Sequence, residues 1–250
     1  MLGTPSLRVK QLVTAVCVIG AWQIYGMILN SIVLPPPSKI AVAFWNLLVG
    51  GDLLPALGSS LRLLVIGFAT AFVLGTLLGI VLGRYRVLDY TLGPYVSALY
   101  STPEIALIPL ILVWFGFGLG GRVVVVFLAS FFPILINTYA GVRDAPSHLI
   151  EVARSFGVSS EVGLLRRVIV PAATPFIMAG IRLAIGRGVV GMAVAEVYLR
   201  LGGIGALIVQ YGAVFKTDYV IAAILPLPVL GIGLTRLSAV LERRFQAWRT

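Results

Sequence analysis

The sequence predicts an all-α membrane protein with six transmembrane helices. Three observations lead there. Hydrophobic residues make up 59% of the 250 and charged residues only 11%. The mean hydropathy is +1.04, well above that of soluble domains. The apolar residues fall into six stretches of about 20, the length of helix that crosses a hydrocarbon core ~30 Å thick. The net charge of +10 does not indicate nucleic acid, because the Lys and Arg residues lie in short clusters between the apolar runs rather than on a basic face.

The first span, residues 12–34, follows Arg8 and Lys10. It is read as a retained anchor rather than a cleaved signal, since it lacks a small-x-small cleavage site and five spans follow. Cys17, the only cysteine, lies within it, so no intrachain disulfide or cysteine-based metal site can form. Pro35, Pro36 and Pro37 end the span, and Ser38 is expected to cap a short interfacial helix through Leu48, with Trp45 at headgroup level. In the second span, residues 61–83, Gly67, Gly75, Gly79 and Gly83 share one face and predict close approach of another helix.

The third span, residues 92–117, is interrupted by Pro94, Pro103 and Pro109. Broken helices persist in membranes only where protein or a cavity satisfies the freed carbonyls, so this span is buried in the bundle or lines a path. Spans four, five and six follow at 122–142, 174–198 and 219–241. With the N-terminus in the cytoplasm, that side collects Arg8, Lys10, Arg84, Arg86, Arg143, Arg154, Arg166, Arg167, Arg243, Arg244 and Arg249, against Lys39, Arg62, Arg122, Arg200 and Lys216 opposite. The imbalance places both termini in the cytoplasm. The whole chain, 1–250, is read as one transmembrane domain with core spans at 61–241, and no internal repeat is evident.

Ionisable groups inside spans are costly and therefore informative. Glu104, Arg182, Arg187 and Glu196 are such groups, and Asn137 is a polar residue in span four. Arg187 and Glu196 stand nine residues apart, about 13 Å along a helix, so each needs a partner from another span. Glu104, just after Pro103, is the evident partner for an arginine. Two readings stay open: these residues line a translocation path for a polar or anionic solute, or they are interhelical pairs and hydrogen bonds that fix packing.

The longest cytoplasmic connection, 143–173, is too polar to span and too regular to be slack. Ser147 is expected to cap a helix with Leu149, Ile150, Ala153 and Phe156 at helical spacing, and Gly157 ends it. Ser159 is expected to cap a second helix carrying Val162, Leu164, Leu165, Val168 and Ile169, which Pro171 stops. The apolar face of this helix-turn-helix needs a cover.

Glu151-Val152-Ala153, Gly157 and Val168-Ile169-Val170-Pro171 resemble the signature loop of the membrane subunits of bacterial ABC importers with the type I fold. The chain departs from that pattern at Val152 and Val170, and by one extra residue between Gly157 and Pro171, placed here between Val158 and Gly163. Ile105 to Leu110, Trp114 to Gly118, Gly180 to Ala184, Ala195-Glu196 and Gly202 to Gly205 are similar to the nitrate, taurine and aliphatic sulfonate permeases. The resemblance implies a permease in the bacterial inner membrane that carries a small organic anion or nitrate. It also implies a second copy of the permease, cytoplasmic ATP-binding subunits and an extracytoplasmic solute-binding protein. In such a machine the short coupling helix docks on the ATPase, which assigns that contact to Glu151, Ala153, Arg154, Ser155, Phe156, Gly157, Val158 and Ser159.

An enzyme is the first rival. The sequence has no Gly-x-x-x-x-Gly-Lys-Ser/Thr loop, His148 is the single histidine, and no Ser/His/Asp set or His-Glu-x-x-His occurs. Neither cofactor nor metal is expected, and ATP hydrolysis is expected on a separate subunit. An ion-coupled secondary transporter or channel is the alternative, but it leaves the 151–171 loop without a purpose.

Overall fold

Helices form in each of the six predicted apolar runs, although residues 32–34, expected within the first, are bends that lead into the prolines. The computed structural model describes residues 7–29, 32–200 and 202–246, and these contain twelve α-helices and one π-helical turn. They are α1 (Leu7–Leu29), α2 (Pro37–Val49), α3 (Leu53–Arg84), α4 (Arg86–Ser101), α5 (Glu104–Phe115), α6 (Leu119–Arg143), α7 (Ser147–Ser155), α8 (Glu161–Leu164), the π turn (Leu165–Ile169), α9 (Val170–Leu199), α10 (Gly203–Ala213), α11 (Thr217–Ile224) and α12 (Pro226–Gln246). Among the described residues five helical stretches are long and apolar enough to cross a membrane, and α4 with α5, bent by 99° at a short break, makes a sixth. The break falls at Thr102–Pro103, whereas Pro94 and Pro109 sit inside helices. Of the sequence expectations, residues 30 and 31 of the first span and Arg249 lie outside the described residues.

The chain groups into two units, residues 1–59 with 202–226, and 60–201 with 227–250. In the first unit α2 starts at Pro37 with Pro36 as its cap, not at Ser38 as expected. Proline at the first helical position lacks only an N–H that would be unpaired there anyway. Ser38 instead ties α2 to α1: its N–H donates to Gln23 Oε1 at 3.0 Å, and its Oγ accepts from Gln23 Nε2 at 2.9 Å. Asn46 Nδ2 donates to the Tyr219 hydroxyl at 3.1 Å, and Tyr211 and Tyr219 stack with centroids 4.8 Å apart. Burial first, then the nearby Asp52 carboxylate, hold the Tyr211 phenol above its ordinary pKa.

The second unit is organised by α6 against α9. Its buried core joins Ile108, Ile111 and Leu112 of α5 to Val125 of α6 and Ala195 and Leu199 of α9. The glycine face of α3 meets α6 as predicted. A Cβ at Gly79 would fall 2.7 Å from the Thr138 Cβ and 2.8 Å from the Leu135 carbonyl, and one at Gly83 would fall 2.7 Å from the Tyr139 carbonyl. The backbones are therefore too close for any larger residue.

Candidate functional site

The 151–171 loop is built as two short helices held by distinct local devices. Pro146, rather than Ser147, is the N-cap of α7, because its fixed φ already supplies the extended entry. At the other end Gly157 adopts φ +86, the Gly157 N–H donates to Arg154 O, and the Val158 N–H donates to Ala153 O, both at 3.0 Å. This is a Schellman closure, and Val158 and Ala153 pack on the same apolar cluster, as that closure favours. Ser160, one residue later than expected, caps α8: its Oγ accepts from the Gly163 N–H at 3.1 Å.

The underside of the loop is covered by its own chain. Leu164 and Ile169 are buried with Val142 of α6 and Ala173 and Ile177 of α9, and Ile80 of α3 packs against them. Glu161 in the first turn of α8 accepts two hydrogen bonds from Arg84 at the end of α3, Nε to Oε2 and Nη2 to Oε1, both 2.8 Å. Against this fixed base the outer surface is open. Phe156 is 84% exposed and Val152 50%, while Glu151, Arg154, Ser155, Gly157 and Ser159 are also exposed.

Pro171 does not stop the second helix. α8 passes through the π turn, where the Val170 N–H donates to Leu165 O, straight into α9 with Pro171 in its first turn. A wide turn interrupts the i→i−4 ladder at this point, so a residue without an N–H is accommodated. The π turn itself carries one residue more than an α turn would over the same stretch. Residues 158–163 are tied down by the Schellman closure and the Ser160 cap.

A second polar locus lies beside α5. Arg187 Nη1 on α9 donates to Glu104 Oε1 at 3.1 Å, and its guanidinium stands 5.2 Å from the Tyr100 ring centroid. The pair borders a cavity of about 340 Å³ whose remaining walls are apolar or small, among them Ile105, Ile108, Val125, Val190 and Val194.

The family model for the inner membrane component of binding-protein-dependent transport systems matches residues 54–247. The chain belongs to this family. The aliphatic sulfonates transport permease SsuC of Escherichia coli K12 is 35% identical over 244 residues, spanning 97% of this chain and 92% of that protein. SsuC of Bacillus subtilis 168 is 33% identical over 244 residues, 96% of this chain and 87% of its own. The riboflavin transport system permease RibX of Chloroflexus aurantiacus is 34% identical over 239 residues, 94% and 88% respectively. In fold the chain is similar to a chain of the MetNI methionine ABC transporter in an inward-facing form, with a TM-score of 0.54 at 19% identity, covering 78% of this chain and 96% of that one.

The permease brings only two of the five intramembrane candidates together, Glu104 and Arg187. Arg182 pairs instead with Glu242 of α12. Asn137 Nδ2 donates to Pro133 O of its own helix at 2.8 Å, and α9 presses on it at Gly180, where a Cβ would fall 2.9 Å from the Asn137 Cβ. Glu196 is fully buried, with Oε2 accepting from Ser60 Oγ at 2.8 Å. The sequence reading missed Tyr100, Ser60, Glu161, Arg84 and Glu242 as partners. Tyr100 precedes Glu104 by four residues, an available signal that the Pro103 break obscured. The others meet their partners across 60 or more residues, which no periodicity reports.

Proposed function

We propose that this permease is the membrane-spanning subunit of an importer for a small organic anion, driven by a separate cytoplasmic ATPase that docks on the 151–171 loop. One observation carries the docking: a loop braced beneath by three helices and an ion pair presents Phe156, Val152 and Glu151 outward on a rigid base. A braced element transmits displacement to the spans where a slack loop would absorb it. The Lys/Arg imbalance supports a cytoplasmic position for that surface and for both termini. The family description supports a solute-binding protein as donor on the opposite side, and the proposed machine includes a second permease copy. The sulfonate permeases among its relatives, together with Arg187 beside an apolar cavity, support an organic anion as cargo.

Mild detergent extraction should co-purify the ATPase with the permease. Phe156→Asp, or removal of residues 155–160, should reduce that recovery at least tenfold while membrane insertion stays intact. Undiminished recovery rejects the docking surface. Solute uptake in vesicles that contain neither the ATPase nor ATP would establish the secondary-transporter reading instead.

A further inference from the structure

We propose that Glu104 is a resident counter-anion. In the solute-free permease its carboxylate holds the place on Arg187 that the acidic head of a small organic anion takes over, while the solute's apolar tail enters the adjoining cavity. The proposal rests on the reading above that the cargo is an organic anion.

The two partners are mounted differently. Arg187 projects from the middle of α9, which is locked onto α6: at neighbouring Gly188 a Cβ would fall 2.6 Å from Ser130 Oγ. The Tyr100 ring gives the guanidinium a second contact that does not involve the carboxylate. Glu104 is the first residue of α5, immediately after the break where α4 and α5 bend by 99°. A few backbone rotations at Thr102 and Pro103 can therefore withdraw it without moving the arginine. The contact itself suits exchange. It is a single 3.1 Å contact with Arg187 48% and Glu104 25% exposed, unlike the two-point Arg84–Glu161 pair, and partly exposed single-contact pairs are weak.

The cavity specifies the rest of the ligand. Its volume of about 340 Å³ lies at the small end of small-molecule sites. Glu104 and Arg187 are the two charged residues of its lining, and the rest, Ile108, Val125, Val190 and Val194 among them, is apolar or small. That combination suits a compact monoanionic head, sulfonate or carboxylate, carrying a short hydrocarbon chain. A guanidinium accepts either head through its fork of donors.

Thermal unfolding of the purified permease in nanodiscs tests this, with butanesulfonate as probe at fixed ionic strength and butanol and butyltrimethylammonium as controls. Glu104→Gln should melt below the wild type, and butanesulfonate should restore it, with half-saturation about two- to fivefold lower in concentration than for the wild type. Glu104→Asp, which keeps the charge on a shorter arm, should fall between them. Arg187→Gln should not respond. The proposal is overturned if Glu104→Gln binds butanesulfonate no more tightly than the wild type, if Arg187→Gln keeps its response, or if butanol works as well. The substrate reading has its own arm in ATP-driven uptake by the wild-type importer. Absence of organic-anion uptake rejects that reading and the proposal with it; uptake combined with an unchanged Glu104→Gln affinity rejects the resident counter-anion alone.

Discussion

Glu196 keeps a carboxyl fully buried in an apolar bundle, and the Ser60 hydroxyl is one of the groups that make this tolerable. A buried polar group that loses a hydrogen bond incurs the cost of its desolvation, about 1–3 kcal/mol. Ser60→Ala should lower the stability of the detergent-solubilised permease by that amount in thermal or denaturant unfolding. An unchanged midpoint would show that the hydrogen bond contributes nothing. Gly79 sets a second constraint of the same kind. Gly79→Val places carbon where Thr138 and the Leu135 carbonyl already stand, so α3 must move away from α6, and the variant should be recovered folded in much lower yield. These two residues differ in legibility. The spacing of Gly67, Gly75, Gly79 and Gly83 announces a contact face within one helix. Ser60 carries no such mark, because its partner lies 136 residues away. Glu104 and Arg187 were legible as a pair only because an acid at a proline break is rare in apolar sequence.

The elements around the 151–171 loop show where local rules yield to packing. Three expected boundaries, at Ser147, Ser159 and Pro171, each assumed that the most obvious capping or breaking residue acts. The structure uses Pro146, Ser160 and a helix that continues. The continuation is a tertiary effect. Leu164, Ile169 and Ala173 share one buried cluster, and the π turn joins α8 to α9 with their apolar faces on it. Deleting Arg166 should therefore convert the wide turn to ordinary α-helix and leave the fold and its melting temperature nearly unchanged. Deleting Leu183 within α9 rotates everything beyond it by about 100° and should abolish folding. Equal damage from the two deletions would contradict this account of the turn.

The Arg84–Glu161 pair belongs to the same scale. It fastens α8 to the end of α3, and if docking force travels through the loop, this contact passes part of it to α3. Arg84→Glu and Glu161→Arg should each leave ATPase recovery intact but lower solute uptake per ATP hydrolysed, and the double exchange should restore it. A structural role alone predicts a modest stability loss, about 0.5–1 kcal/mol for a partly exposed pair, with the uptake ratio unmoved.

At the scale of the whole molecule, composition and the six apolar runs were enough to anticipate the helical membrane fold, because the hydrocarbon core admits few alternatives. The short helices α10 and α11 and the break before Pro226 were not read, since a helix of 8 or 11 residues leaves too weak a periodic signal to separate from the neighbouring span. The proposed orientation rests on a different property, the imbalance of eleven Lys and Arg residues against five between the two sides. It decides the function proposed here, since a docking loop on the wrong side would meet no ATP-dependent partner. Single cysteines test it once Cys17, which is exposed on α1, is replaced by alanine. Ser159→Cys, on the open side of the loop, should react with a membrane-impermeant maleimide only after cells are permeabilised. Ser38→Cys, at the start of α2, should react in intact cells. Labelling of Ser159→Cys from outside would invert the molecule and remove the ATPase from its proposed place, whatever the strength of the loop's resemblance to a docking element.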